Sequence, residues 1–156
     1  MPYNNATICL NGHIVSKYDA CSQKYCSKCG AQTISFCAVC DSPIHGLFDF
    51  PGSSIRGYRP LSLPYYCYEC GTPYPWTKKI LDNAVELVSL DEELDDSSKE
   101  LIKSAIPELI TETPFTPVAV AKYQKGIASA GQVLKNSLYQ LLTDVLSEAV
   151  KKALFP

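Results

Sequence analysis

The residues with the clearest chemistry in this chain are its cysteines, all eight of which lie between Cys9 and Cys70. Six of them form CxxC pairs, and a looser pair made of Cys9 and His13 precedes these. Two thiolates two residues apart on a tight turn can both face one ion, and two closed four-coordinate zinc sites need four such pairs. The spacing therefore predicts two zinc ions held by Cys9, His13, Cys26, Cys29, Cys37, Cys40, Cys67 and Cys70.

Spacing favours one way of joining the four pairs without deciding it. Sequential pairing, first with second and third with fourth, gives two ordinary zinc ribbons and is the favoured arrangement. A cross-braced arrangement, first with third and second with fourth, is the main alternative. Only seven residues separate Cys29 from Cys37, which is short for a ribbon hairpin and disfavours joining the second pair to the third.

Closed sites of this kind indicate a structural role for the metal, because catalytic zinc keeps an open coordination position. The sequence contains no nucleophile–base constellation, phosphate-binding glycine loop or paired-carboxylate motif, so we expect a protein that is not an enzyme. The alternative metal is iron, as in a rubredoxin-like redox protein. Cys21 fits no pair and is predicted to be a free surface thiol, and His45 is predicted to be an ordinary histidine.

Residues 1–77 are predicted to form the β module that positions these ligands. Strand-like segments cover Ile14–Tyr18, Lys24–Tyr25, Thr33–Phe36 and Ile44–Phe50, with a turn at Pro51–Ser54 and a loop over Arg56–Pro60. The glycines that follow two of the knuckles, Gly30 and Gly71, suit turns that need a positive φ.

Residues 78–156 are predicted to be helical, which gives an α+β protein with two parts, 1–77 and 78–156. Thr77 is the expected N-cap of a helix over 78–90. A second helix is expected over 97–106, ending before Pro107, because proline disfavours helical backbone in the residue before it. A third is expected over 117–154, opened by Thr116 and Pro117, with Gly126 and Gly131 as candidate breaks.

The predicted last helix is amphipathic, with a wide apolar band from Val133 to Ala153. A band this wide cannot face water. We therefore expect it to be covered by the other helices, by a second copy of the chain or by a protein partner.

The distribution of charge disfavours nucleic acid as the partner. Residues 1–77 carry five basic and four acidic side chains, a net charge of +1, and seven thiolates with two zinc ions bring this to about −2. Residues 78–112 carry −6 and residues 113–156 carry +3. A nucleic-acid interface needs a clustered basic face. The sequence shows no such face. It does contain a run of aromatic residues that could stack on bases, Tyr65, Tyr66, Tyr68, Tyr74 and Trp76. A base-stacking ribbon that uses this run with Arg56 and Arg59 is therefore the alternative function.

The sequence also predicts the compartment. It opens without a secretory signal and contains no apolar run long enough to span a membrane. A cysteine-rich chain of this kind is typical of a metal-binding protein in the reducing cytoplasm.

Several segments together resemble an uncharacterised bacterial family of small zinc-ribbon proteins, catalogued as a domain of unknown function. These are Ile8–His13, Cys26–Ala31, Cys67–Trp76, Thr113–Thr116 and Leu142–Lys152. The resemblance covers nearly the whole chain, implies a bacterial or phage source and supports His13 as a ligand. It brings no activity, substrate or partner, and Cys21 is not part of its pattern.

Taken together, these features predict a structural zinc-binding adaptor. The metal module would serve as a rigid platform, and the C-terminal helix would mediate self-association or binding of a protein partner.

Overall fold

The computed structural model describes residues 2–50, 52 and 59–155. The predicted turn after Phe50, apart from Gly52, and the first part of the predicted loop that ends at Pro60 lie outside the described residues. The chain divides into two compact units, Met1–Lys79 and Ile80–Pro156.

The described part of the first unit is built from short antiparallel strands. The strands are β1 Tyr3–Asn5, β2 Thr7–Cys9, β3 Ile14–Ser16, β4 Thr33–Ile34 and β5 His45–Phe48. A two-stranded sheet pairs β1 with β5, and a three-stranded sheet has the order β3-β2-β4. The second unit is helical, so the α+β class predicted from the sequence is confirmed.

The observed strands are shorter than predicted, and two additional strands, β1 and β2, precede the predicted ones. The predicted strand at Lys24–Tyr25 is reduced to a single bridge between Tyr25 and Gln32. Strands β1 and β2 were not predicted, because Asn4 and Asn5 break the apolar pattern that marks a strand. Asn4 lies in its sheet nonetheless, with its side-chain amide donating to Leu47 O at 3.0 Å.

The core of the first unit is small and includes metal-ligand candidates. Trp76 is its largest side chain, packs in one buried cluster with Ile8 and Ile44, and donates from Nε1 to Pro64 O at 2.7 Å. The sulfur-bearing side chains of Cys37 and Cys67 belong to the same cluster. Few apolar side chains are therefore available to hold these strands without further cross-links.

Helix α1, Pro75–Leu90, begins earlier than predicted. Pro75 occupies the first helical position, where its fixed φ suits the helix and its missing N–H costs nothing. Thr77, the expected N-cap, instead lies inside the first turn, is fully buried and donates its hydroxyl to Tyr65 O at 2.7 Å.

Helix α2, Asp96–Leu109, runs through Pro107, although the sequence predicts that it ends at residue 106. Its N-cap is Asp95, whose carboxylate accepts from Ser98 N at 2.8 Å. Pro107 lies in the last turn, so few helical hydrogen bonds follow it. Continuing the helix buries Leu109 in the core of the second unit, which favours the helical geometry.

The helix predicted over 117–154 is instead three helices, α3 Thr116–Ile127, α4 Gln132–Leu142 and α5 Glu148–Leu154. The first break ends at Gly131, one of the two candidate positions, where extended backbone forms the N-cap of α4. The second break was not predicted. It ends at Ser147, whose hydroxyl accepts from Val150 N at 3.3 Å and caps α5.

These breaks fold the apolar band back onto the core of its own unit. Leu134, Leu138, Leu142, Leu146 and Val150 are all buried there, together with residues of α1, α2 and α3. Most of the band is therefore covered by the other helices, the first of the three expected possibilities. In the part of the chain that the structure describes, no helix combines the length and the apolar content needed to cross a bilayer.

Gly126 marks a close crossing of α3 over α2, and we expect Gly126→Ala to destabilise the second unit by about 1–3 kcal/mol. A Cβ at this position would lie 2.6 Å from Ile102 Cγ1 and 2.9 Å from Ser98 O, so the two helices would have to separate. Alanine's better helix propensity offsets only part of this cost. Urea unfolding followed by far-ultraviolet circular dichroism measures the change.

Gly131→Ala is the matched control. A Cβ there would meet mainly the carboxylate of Glu93, the mobile end of a side chain, and φ is −69°, which alanine adopts freely. Its cost should be clearly smaller than that of Gly126→Ala. Equal costs at the two positions would contradict the close-crossing explanation.

Candidate metal centres

The three CxxC knuckles share one backbone conformation. In the first, Cys26 N donates to Ala31 O and Gly30 N donates to Cys26 O, both at 2.8 Å. The knuckles that begin at Cys37 and Cys67 repeat both hydrogen bonds at 2.8–2.9 Å. This turn points the two cysteines of a pair the same way, and it depends only on local sequence.

The residue after each second cysteine takes a positive φ. Gly30 has φ 73° and Gly71 has φ 72°, as predicted for the two glycines. The middle knuckle, Cys37–Cys40, places Asp41 there with φ 63°. Aspartate is among the side chains that tolerate this left-handed region, which explains why the turn forms without glycine.

The half-knuckle at Cys9 uses a related turn. Cys9 N donates to His13 O at 3.0 Å, and Gly12 N donates to Cys9 O at 2.9 Å. Gly12 has φ 91°, and a Cβ on it would lie 3.1 Å from Trp76 Cβ. Both the backbone angle and the limited space require glycine here, and the turn brings the His13 ring to the Cys9 sulfur.

The structure groups the ligand candidates into two sets of four. The first site is Cys9, His13, Cys26 and Cys29, and the second site is Cys37, Cys40, Cys67 and Cys70. Within each set the ligand atoms all lie within 4.8 Å of one another. The sets correspond to sequential pairing; the cross-braced sets are not brought together.

The atoms of the first site have the separations of a tetrahedral site. With Zn–S of about 2.3 Å and Zn–N of about 2.0–2.1 Å, tetrahedral geometry gives S···S edges of about 3.8 Å and S···N edges of about 3.5 Å. Cys9 Sγ lies 3.7 Å from Cys29 Sγ and 3.5 Å from His13 Nδ1, and Cys26 Sγ lies 3.7 Å from the same nitrogen. The donor set and its spacing therefore fit one zinc ion bound through Nδ1 of His13.

The second site has the same spacing with four sulfurs. Cys37 Sγ lies 3.8 Å from Cys70 Sγ, and Cys40 Sγ lies 3.6 Å from Cys67 Sγ. A disulfide would bring two sulfurs to about 2.05 Å, and the cysteines are free thiols in the structure. Four thiolates at these distances fit zinc, and they fit tetrahedral iron equally well.

Polar side chains next to the sulfurs favour their thiolate forms. The Thr72 hydroxyl lies 3.3 Å from Cys70 Sγ and lowers the pKa of that thiol to about 6. At Cys29 the backbone amide of Ala31 and then the side chain of Asn11, which donates at 3.4 Å, lower the pKa to about 6. Because metal binding requires thiolates, these donors support the metal sites.

Sequence reasoning missed these supporting residues. Ser42 and Thr72 both stand two residues after the last cysteine of a knuckle, and the Ser42 hydroxyl lies 3.3 Å from Cys40 Sγ. That shared position is the sequence feature that could have identified both residues as neighbours of the ligands. Asn11 had none, since its approach to Cys29 depends on the fold.

We expect Thr72→Val to weaken metal binding at the second site by about tenfold or more, because loss of such a supporting hydrogen bond typically costs this much. Valine keeps the shape of threonine and removes the hydroxyl. Thr72→Ser is the control and should retain most of the affinity. Competition with a chromophoric chelator measures both, and equal affinities for the two variants would show that the hydroxyl has no role.

Cys21 and His45 lie outside both sites. Cys21 is exposed, as predicted, and its backbone N–H donates to Thr7 Oγ1 at 3.0 Å. The His45 ring is stacked between Tyr3 and Tyr68, with ring centroids 4.1 and 3.8 Å away. Burial lowers its pKa, so this histidine is a neutral packing residue at neutral pH.

The aromatic run beside the last knuckle is divided between core and surface. Tyr74 and Trp76 are buried and stack on each other with centroids 4.8 Å apart. Tyr66 and Tyr68 are exposed. Arg56 lies outside the described residues, and the Arg59 guanidinium is placed over the Phe50 ring at 5.4 Å.

Comparison with known proteins agrees with this description. No curated protein and no solved structure matches the chain significantly. One family model does, over residues 2–154, and its description is "Uncharacterized protein conserved in bacteria". With a match over nearly its full length, and with two four-ligand clusters compatible with zinc ribbons ahead of a helical region, the chain belongs to this bacterial family, DUF2321.

Proposed function

We propose that this protein is a non-enzymatic adaptor in which two structural zinc ions fix the unit Met1–Lys79 as a platform for a protein partner. The observation that carries the proposal is the tetrahedral spacing of two complete sets of protein ligands. A site whose four positions are all filled by protein leaves none for substrate or water, which is the property of structural zinc.

The platform has an exposed aromatic side chain at the same position of each knuckle. Tyr25, Phe36 and Tyr66 directly precede the first cysteine, and their exposed fractions are 63%, 44% and 38%. Successive side chains of an extended backbone point to opposite sides, so a cysteine turned towards the metal turns its neighbour outwards. A protein partner that covered these side chains would remove their apolar surface from water, which favours association.

Partner binding by the C-terminal helices is a smaller part of the proposal, because most of their apolar band packs in the core of the second unit. Val118 and Val133 are still exposed there. Self-association through this surface would appear as a dimer in sedimentation velocity and would be lost in Val133→Ser.

The experiment that tests the platform combines metal analysis with affinity capture of the protein from the bacterium that produces it. We expect two zinc ions per chain and a protein partner that is lost when Tyr25 and Phe36 are replaced by serine. Leu90→Ser, which changes an exposed apolar residue of the other unit, is the control. Capture that is unchanged in the double variant, with zinc still bound, would refute the platform.

Two other functions can be tested with the same purified protein. A nucleic-acid-binding ribbon predicts salt-dependent binding of labelled single-stranded DNA or RNA. Burial of Tyr74 and Trp76 removes two of its stacking residues, which disfavours it. A rubredoxin-like redox protein predicts iron in the second site, which elemental analysis of the native protein decides.

A further inference from the structure

Tyr123, on α3, is a buried polar residue that the metal centres do not explain. Its side chain is 1% exposed, and its hydroxyl has no hydrogen-bond partner among the residues that the structure describes. Buried hydroxyls are nearly always paired, and an unpaired one destabilises the fold. Phenylalanine would fill the same space without that cost, so the hydroxyl calls for a partner that binds from outside the chain.

Tyr123 forms part of the wall of a cavity of about 380 Å³. Pockets that bind small molecules have volumes of about 300–1,000 Å³ and mostly apolar walls. Here the apolar wall comes from Ile127 of α3, Tyr139 of α4, and Leu154 and Phe155 at the end of α5. The Tyr139 and Phe155 rings meet edge to face with centroids 4.8 Å apart. This wall suits a flat or branched apolar body.

The polar wall comes from one side of α4. Gln132, Lys135 and Asn136 line the cavity, and their spacing of three and four residues places them on one helix face. Among the described residues that line the cavity, Lys135 is the one charged side chain. The carboxylate of Glu93 lies beside Gly131 at the start of α4, where it offsets the positive end of the helix dipole.

We propose that this cavity binds a small organic anion, a monocarboxylate with an aromatic or branched aliphatic body. The apolar body lies against α3 and the end of α5, Lys135 binds the carboxylate, and the Tyr123 hydroxyl donates to a ligand oxygen. Burial raises the pKa of Tyr123 to about 12, which keeps the hydroxyl protonated and able to donate. This binding is independent of the adaptor role.

The charge of this cavity distinguishes it from a larger one of about 780 Å³ between the segment before α3 and α5. The larger cavity is lined by Val120, Val150 and Ala153 among others, and its charged lining residue is Glu112. An anion would therefore be repelled there and attracted to Lys135. The two cavities can be told apart by substituting these two residues.

The test uses the whole 156-residue chain with zinc bound and 2-naphthoate as the probe, with binding measured by calorimetry. We expect saturable binding, weakened about tenfold by Lys135→Gln and about fivefold by Tyr123→Phe. Glu112→Gln is the matched control and should leave the affinity unchanged. The neutral analogue 2-naphthamide should bind the native protein more weakly than naphthoate, and Lys135→Gln should remove that difference.

Tyr123→Phe should keep or raise the melting temperature, because it removes an unpaired hydroxyl without leaving a void, so loss of affinity cannot be ascribed to unfolding. Absence of saturable binding would overturn the proposal. So would an affinity that is unchanged in both variants, which would leave an ordered water as the partner of Tyr123. A gain of affinity in Glu112→Gln would assign the probe to the larger cavity, where removal of the repelling carboxylate strengthens anion binding, and would likewise overturn the proposal.

Discussion

Removal of zinc is expected to unfold the unit Met1–Lys79 and to leave the helices of Ile80–Pro156 folded. The strands of the first unit are two to four residues long, and two predicted ligands, Cys37 and Cys67, lie in its buried cluster. Structural zinc contributes about 10–16 kcal/mol of binding free energy in small domains, and this energy is folding energy. The core of the second unit contains no cysteine.

Trp76, the one tryptophan of the sequence, reports this change directly, because it is buried in the first unit. A chelator in the presence of a reductant should shift its emission to longer wavelength, while the helical circular dichroism largely remains. Returning zinc should restore the emission. A Trp76 emission that does not respond to chelation would mean that the apolar core alone holds the unit.

Cys67→Ser should reproduce the effect of chelation, since it removes one ligand of the second site from the core. Cys21→Ser is the control, because Cys21 is exposed and lies outside both sites. We expect the control to keep the native emission and melting temperature. A similar loss in both variants would point to a general sensitivity to cysteine replacement.

Replacing His13 by alanine is expected to lower the zinc content from two ions per chain to one. Nδ1 of His13 lies within 3.7 Å of the sulfurs of both Cys9 and Cys26, so it completes the first site. Three remaining thiolates cannot close a structural site, whereas the second site keeps all four of its ligands. Elemental analysis after dialysis against a weak chelator measures the ratio.

His13→Cys separates the loss of a ligand from other effects of the substitution. A thiolate at this position supplies the fourth ligand again, and the content should return to two zinc ions. His45→Ala, which changes a histidine outside both sites, should also keep two. If His13→Ala still held two zinc ions tightly, His13 would be excluded as a ligand.

The knuckles could be predicted because their chemistry is local. Two cysteines two residues apart, followed by a residue able to adopt positive φ, form the same hydrogen-bonded turn wherever the chain places them. The ligand candidates are therefore visible in the sequence one by one. Which pairs join is a question of distance across the fold, so the grouping of Cys37 with Cys67 had to come from the structure.

The helices show the same division. Their apolar periodicity predicted helical structure from residue 78 onwards, but Pro107 does not end α2 and Ser147 caps a separate helix. At Pro107, burial of Leu109 outweighs the local tendency of proline to end a helix. At Ser147, burial of Val150 adds to the local preference of serine for the N-cap position. The sequence by itself determined the eight candidate ligands, the β-then-α order and most of the helical residues, because these follow from short-range geometry and periodicity. Only the tertiary structure decided the two ligand sets, the burial of the apolar band and the unpaired hydroxyl of Tyr123, because each depends on contacts between residues distant in the chain.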